Sequence, residues 1–582
     1  MVGNTPVSFC IRRALLVVGV ISSVALPTAL SAQQRGLVAE YEAPSQNAIG
    51  SLAVLTDEQR TLYQAVFASI DAEQWQQVQR LLEQSEPGIL HQVALAEYYT
   101  HARSPKVSAM QIASWFGRGV ELPHAEQLGR LGARRGLLAL PAFPQSQRLQ
   151  RQPATTRRVR PRPINDGSMP RRTKSQILAA IKNDDPDTAY AMLAEIDGTL
   201  SFAARAEWRQ RVAWSYYIEN NDAAALALAL TVNQGSGPWV AEGDWVAGLA
   251  SWRLNDCQTA ADAFARAAAG SSNIELTAAS HHWAHRAFNR CGQTDLAQAH
   301  LQAAARYDET LYGMLAADQL GIELAEQSAP QRFSRDDWQA LASRSNVQVA
   351  AALVEIGRPT LADEVLRHEA KIGNPRDFPA LARLARELGL PATQLFMAYN
   401  APYGMPSAGV LRFPTARWQP ANGWRVDPAL AFAHALQESN FRTGAVSPAN
   451  ARGLMQIMPG TARDHNRRLN LGASYADLNR PEINLAYGQQ HLEMLRDSPA
   501  TGGLLPKIMA AYNAGLTPVS RWNYEINDQG DPLLWMESIP YWETRGYVAI
   551  VMKNYWMYER AAGLKSPSRR ALAEGRWPLF PG

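Results

Sequence analysis

A chain of 582 residues, 46% hydrophobic and 19% charged, has the make-up of a soluble globular protein and is long enough for two or three domains with their own cores. Lys and Arg number 57 against 53 Asp and Glu, a formal charge of +4 that gives no overall argument for a polyanionic partner. The sequence has no phosphate-cradling Gly loop, no Gly-x-Ser-x-Gly elbow and no Cys-x-x-Cys pair, which removes nucleotide-binding, serine-hydrolase and zinc-finger readings.

The N-terminus reads as a secretory signal over residues 1–32. Arg12 and Arg13 precede an uncharged stretch, Ala14 to Ala32, that closes on Thr28-Ala-Leu-Ser-Ala32, so cleavage is expected after Ser31 or Ala32. No Cys stands at the cleavage point for a lipid anchor, and Cys10 is lost with the signal. No later stretch is apolar and long enough to span a bilayer. The expected product is periplasmic, with no stable membrane span after cleavage.

Residues 33–140 form a helical region, with Leu62 to Glu83 showing Ala- and Leu-rich periodicity. Residues 141–176 break the pattern. Arg148, Arg151, Arg157, Arg158, Arg160, Arg162, Arg171, Arg172 and Lys174 face a single acid, Asp166, and five prolines from Pro141 to Pro163 forbid a continuous helix. This segment reads as an exposed, partly disordered linker or insertion. Export argues against nucleic acid as its partner; anionic lipid, acidic envelope polymers or an acidic envelope protein fit better.

Residues 177–400 return to helical periodicity, in Ile177 to Ala194, Ala204 to Ala229, Val347 to Leu366 and Phe378 to Leu390, divided by short Asp-, Asn- or Gly-containing turns. The reading is an α-superhelical, tetratricopeptide-like solenoid. Cys257 and Cys291 would be the only cysteines of the exported chain. They lie 34 residues apart, at matching places in adjacent helical hairpins, so a disulfide is expected. His281 and His285 share a helix face beside His282, but no further ligand has metal-site spacing, and no metal is expected.

The most informative stretch follows. Asp427 is a good N-cap and Pro428 suits the first helical position. Leu430-Ala-Phe-Ala-His-Ala-Leu436 then has His434 as its only polar side chain, so the helix is expected to be buried on most sides. Glu438 falls in the last turn, where the helix dipole and desolvation both raise a carboxyl pKa, as a general acid requires. Ser447-Pro448 and Gly453 then form turns around a short apolar ribbon, Leu454 to Met458, before Pro459 opens another helix.

Four pieces stand in register: Glu438-Ser439, Gly453-Leu-Met-Gln-Ile-Met-Pro459, Ala511-Tyr-Asn-Ala-Gly515 and Ile539-Pro-Tyr-Trp-Glu-Thr-Arg-Gly-Tyr547. Together they resemble the soluble lytic transglycosylases of bacterial peptidoglycan, closely from about Val426 to Tyr558 and more loosely upstream. That resemblance implies an all-α protein, a helical superhelix followed by a lysozyme-like domain with a small β-ribbon at 405–575. It also implies that Glu438 is the single acid and base and that Tyr512 hydrogen-bonds near its carboxyl group. Ser447, Gln456 and Met458 would line the glycan cleft, Asn513 would support the site, and Glu543 would face the substrate or its stem peptide. Two positions depart from the family pattern: Leu436, where Arg often precedes Gln-Glu-Ser, and Leu516, where Pro often follows Gly515.

The implied partner is the peptidoglycan glycan strand, and no cofactor is called for. Most glycosidases pair two carboxyl groups, yet these motifs offer no second acid at a nucleophile position. Glu438 alone would protonate the glycosidic oxygen, the substrate's acetamido group would stabilise the cation, and the C6 hydroxyl would close a 1,6-anhydro ring. A muramidase, with water attacking instead, and a glycan-binding scaffold without catalysis are the alternatives.

Overall fold

In the computed structural model, which describes residues 52–324, 332–405 and 409–581, helices carry nearly all the regular structure. The expected signal segment, including Cys10, Arg12 and Arg13, lies outside the described residues. Local chemistry starts the helices where polar residues precede apolar runs. Thr56, Ser108, Asp185, Ser201, Asn221, Asp256, Asn273 and Thr310 each accept a backbone N–H of the first turn.

Between Arg171 and Gln319 the helices stack as antiparallel neighbours, with Trp239–Arg253, Cys257–Gly270, Ile274–Arg290 and Thr294–Ala305 in the middle of the stack. Alanine-rich faces let them approach closely. Gly248 is one such point of contact, since a Cβ there would meet the Phe264 ring at 2.5 Å. Trp245, Trp252, Phe264 and Trp283 interlock edge-to-face in the seam. Cys257 and Cys291 are joined by a disulfide with Cα atoms 5.6 Å apart. The two cysteines do not hold equivalent places in their turns, however. Asn255 and Gly292 are the matching left-handed residues, so Cys257 follows its turn whereas Cys291 precedes its own.

The expected continuous solenoid over 177–400 divides after Gln319. Tyr63, Val66, Phe67, Ile112 and Trp115 of the N-terminal helices share one core with Leu341, Val347, Val365, Leu366 and Leu384. The helices from 171 to 319 share theirs with the C-terminal domain. Periodicity reveals that a helix has an apolar face; it does not reveal which partner covers it.

The Pro/Arg segment also differs from expectation. It is an ordered strap that crosses between the two cores. Gln147 bonds to Lys371 and Ala370 carbonyls, and β1 (Leu149–Arg151) pairs antiparallel with β2 (Asn400–Pro402), with Gln150 opposite Ala401. Beyond Gln152 the strap lies on the solenoid. Thr156 donates to Glu275, Asn273 and the indole of Trp239 donate to the carbonyls of Arg157 and Arg162, and Glu207 accepts the Ile164 N–H. Prolines still exclude a helix, but extended backbone is what a strap needs; most of its arginines stay exposed, and two of them turn to internal partners. Arg158 lies between Glu242 at 2.9 Å and Glu537 at 3.5 Å while stacking on Trp245, and Arg160 covers Trp542.

The same surface seats the C-terminal domain on the solenoid. Tyr312 donates to Glu537 at 2.8 Å, Tyr217 and Arg253 both meet Ser538, and the buried Lys553 pairs with Glu275 at 2.5 Å. A cavity of about 470 Å³ remains between strap, solenoid and the helix Trp542–Ala561, lined by Arg158, Arg160, Lys553, Glu537, Glu543 and Tyr547 among others.

Candidate active site

The helix Pro428–Ser439 forms as its sequence dictates. Asp427 caps it, accepting the Ala429 N–H at 2.9 Å; Pro428 opens it; and Asn440 ends it in the left-handed conformation with φ of 51°. Residues Pro428 to Leu436 are all buried, and Glu438 emerges half-buried in the last turn.

Burial is the largest influence on Glu438 and pushes its pKa up to about 7. A hydrogen bond from Tyr547 opposes that rise, and the negative charge of Glu543 adds to it. The Tyr547 hydroxyl donates to Glu438 Oε1 at 2.7 Å and also meets His434 Nδ1 at 2.8 Å. Among the described residues Oε2 has no protein partner and remains open.

Tyr512 is therefore not the residue that bonds the carboxyl group. Its hydroxyl donates to the Met455 carbonyl at 2.8 Å, while its ring packs 4.5 Å from His434 and lies parallel to Tyr547. It fixes the ribbon opposite Glu438, and Tyr547 takes the role expected of it. Glu543 and Tyr547 are one helical turn apart on Trp542–Ala561, so a Glu followed four residues later by a Tyr was the signal available in the sequence.

The ribbon is a tight double turn. Arg452 exchanges backbone hydrogen bonds with Ile457 and bridges to Val446, and Ser447 accepts the Ala451 N–H through its Oγ at 3.0 Å. Gly453 has φ of +76°, and a Cβ there would collide with the Leu478 carbonyl and the Asn484 amide, so no other residue fits. Asn484, which sequence reasoning missed, is fully buried and organises the turn. It donates to the Arg452 and Leu478 carbonyls and accepts the Met455 N–H at 2.8 Å.

Gln456 adopts a positive φ, and its amide donates to the Ala445 and Gly453 carbonyls, which leaves only its Oε1 for a ligand. Met458 stands exposed at the N-terminus of Pro459–Leu469. Asn513 accepts from the Thr544 hydroxyl at 2.6 Å, tying Leu505–Ala514 to Trp542–Ala561, and Glu543 is exposed beside it. The solenoid histidines have other roles. His281 contacts His300, His285 meets the Ala297 carbonyl, and His282 is sealed in the core. Among the described residues no three His, Cys, Asp or Glu side chains gather as a metal-binding group, and no helix is long and apolar enough to cross a membrane.

Residues 418–533 match the family model for the transglycosylase SLT domain. The chain is 34% identical over 157 residues to the soluble lytic murein transglycosylase of Escherichia coli, and 35% identical over 158 residues to that of Salmonella typhimurium. Each alignment covers 27% of this chain and 24% of the relative, so the matched stretch spans about a quarter of those proteins' length. Similarity of fold extends further. The 70 kDa soluble lytic transglycosylase of E. coli superposes with a TM-score of 0.55 at 18% identity, over 90% of this chain and 99% of that one. An inactive mutant of the lytic transglycosylase Slt from Pseudomonas aeruginosa gives 0.51 at 19%, over 92% and 79%. Residues 418–533 of this chain thus match a transglycosylase SLT domain, and the chain shares its all-α, superhelical fold with the soluble lytic transglycosylases.

Proposed function

We propose that the protein is a lytic transglycosylase that cleaves the β-1,4 bond between N-acetylmuramic acid and N-acetylglucosamine in peptidoglycan, with Glu438 as general acid and then general base. One observation carries this reading: a half-buried carboxyl group, its pKa raised to about 7, anchored through Oε1 and open through Oε2. Near neutral pH such a group populates both protonation states, so it can give up a proton and retrieve one within a single cycle.

Glu438 protonates the glycosidic oxygen as the bond to the anomeric carbon breaks, and the acetamido group of the muramic acid stabilises the positive centre. The resulting carboxylate takes the proton of the C6 hydroxyl, whose oxygen attacks the anomeric carbon and closes the 1,6-anhydro ring. The hydroxyl belongs to the reacting sugar, so attack is intramolecular. Ser447, Gln456 and Met458 are assigned to the rim of the glycan cleft, and Tyr512 and Asn513 to its support. Glu543 is assigned to the substrate or its stem peptide. Residues 405–575 are the catalytic unit, delivered to the periplasm by the signal at 1–32, and the superhelix holds a glycan strand or excludes bulky cross-links.

The test is mass spectrometry of products released from peptidoglycan sacculi by the mature protein, beside Glu438→Gln. Anhydro-muropeptides, lighter by one water than hydrolysed forms and absent with the variant, are expected. Reducing-end products lost in the same variant would make the enzyme a muramidase. Equal release by both proteins would end the role of Glu438.

A further inference from the structure

His434 is the one polar side chain of the buried run Leu430–Leu436, one helical turn before Glu438, and it is completely sealed. Its Nδ1 meets the Tyr547 hydroxyl, which in turn bonds Glu438 Oε1, while its Nε2 has no hydrogen-bond partner. The groups facing it come from three other helices. Tyr547 lies on Trp542–Ala561, Tyr512 on Leu505–Ala514, and His491 on Pro481–Arg496, itself in contact with His465 of Pro459–Leu469. Burial first, and the charge His491 would carry second, push the His434 pKa down to about 3, so the ring is neutral and has a single N–H.

The Tyr547 hydroxyl has one proton and two neighbours. With the imidazole proton on Nε2, an N–H would be sealed away from any acceptor. Nδ1 and the ionised Glu438 would then compete for the one tyrosine proton. With the proton on Nδ1, both contacts are hydrogen bonds in either state of Glu438: Nδ1–H donates to the tyrosine oxygen, and the tyrosine O–H donates to Oε1.

We propose that His434 is a positioning residue that, through Tyr547, confines the acid proton of Glu438 to Oε2, the oxygen left open for the substrate. Oε1 is occupied as an acceptor throughout, so Glu438 passes from acid to carboxylate and back with no rearrangement of the bonds behind it. This inference rests on Glu438 being the acid, but the tautomer it requires can be read without turnover.

The experiment pairs nitrogen-15 NMR of ring-labelled histidine in the mature chain with kinetics. His434 is identified by the resonance missing from His434→Asn. Its proton is expected on Nδ1, without titration between about pH 5 and 9; a proton on Nε2, or a titration in that window, overturns the proposal whatever the activity. In turnover, His434→Phe should lower kcat about tenfold with KM little changed. It should also move the alkaline limb of kcat/KM upward, because the tyrosine bond that lowers the Glu438 pKa is weakened. His434→Asn, whose amide N–H can stand where Nδ1 stood, should restore both. A loss of turnover with the limb unmoved, or no restoration by Asn, would leave His434 as packing alone. A wild-type protein that releases no product would sink the acid reading instead, with the tautomer still decided by NMR.

Discussion

The helix Pro428–Ser439 has a tyrosine-held carboxyl group at each end, and both tyrosines come from Trp542–Ala561. At the C-terminal end Tyr547 bonds Glu438. At the N-terminal end Tyr555 donates to Asp427 at 2.7 Å, with Glu559 beside them. Both ends hold an acid with a raised pKa, about 7 for Glu438 and about 8 for Glu559, and burial is the leading cause in each. What separates them is access. Glu559 is fully sealed and neither of its oxygens makes a well-formed hydrogen bond, whereas Glu438 keeps one oxygen open. A perturbed carboxyl group marks a reactive site only when a substrate can reach it; otherwise the same perturbation describes a neutral acid packed into a core.

The largest effect should separate the two ends outright. Glu438→Gln is expected to cut glycan release by about 10³-fold or more while leaving the unfolding midpoint nearly unchanged. Glu559→Gln, which replaces a neutral acid by its isostere, should leave release within about twofold. Equal losses from both would break the distinction. Next, Asp427→Ala removes the helix cap and strands the Tyr555 hydroxyl, at an expected cost of about 1–3 kcal/mol in denaturant titration.

A third test uses pH. The folded-state pKa of Glu559 lies above its ordinary value of 4.5, so the folded protein holds a proton that the unfolded chain releases. Its contribution to stability is therefore complete below about pH 4.5, declines as pH rises, and levels off near pH 8. Glu559→Gln should make the stability-against-pH curve shallower by about one proton over that window. An unchanged slope would mean that Glu559 is already ionised in the core. The smallest effect belongs to the open end. Activity that requires protonated Glu438 should fall as pH rises through about 7, and Glu543→Gln, by removing a nearby negative charge, should move that limb to lower pH by less than about one unit.

Much of the open end was legible in the sequence. Asp427-Pro428 fixed the helix start, the apolar run announced burial, and Gly453 announced a turn. These are local signals, and local chemistry decides them. The choice between Tyr512 and Tyr547 was not local. Both belong to the motifs, and only the packing of Leu505–Ala514 against Trp542–Ala561 directs one hydroxyl to the Met455 carbonyl and the other to Glu438. Asn484 escaped for the same reason, as an amide inside an otherwise ordinary helix. The strap's exposure was legible, but its order was not, because the acids that hold it are remote. Glu207, Glu242, Glu275 and Glu537 lie far along the chain, and nothing near Arg158 hints that its charge is already matched.

The shared core of the first and third helical blocks has a consequence for how the protein comes into being. Tyr63, Phe67 and Trp115 leave the ribosome early, but the side chains that finish their core, from Leu341 to Leu411, follow only after the whole disulfide-bearing stack has been made. Until then one face of the earliest helices is uncovered, and it closes by contacts of very large sequence separation, the slowest and most aggregation-exposed kind. The helices between Asp57 and Arg134 are thus among the last parts to be completed, and a nascent or truncated product ending before residue 341 would present a greasy, unfinished surface to whatever chaperone meets it.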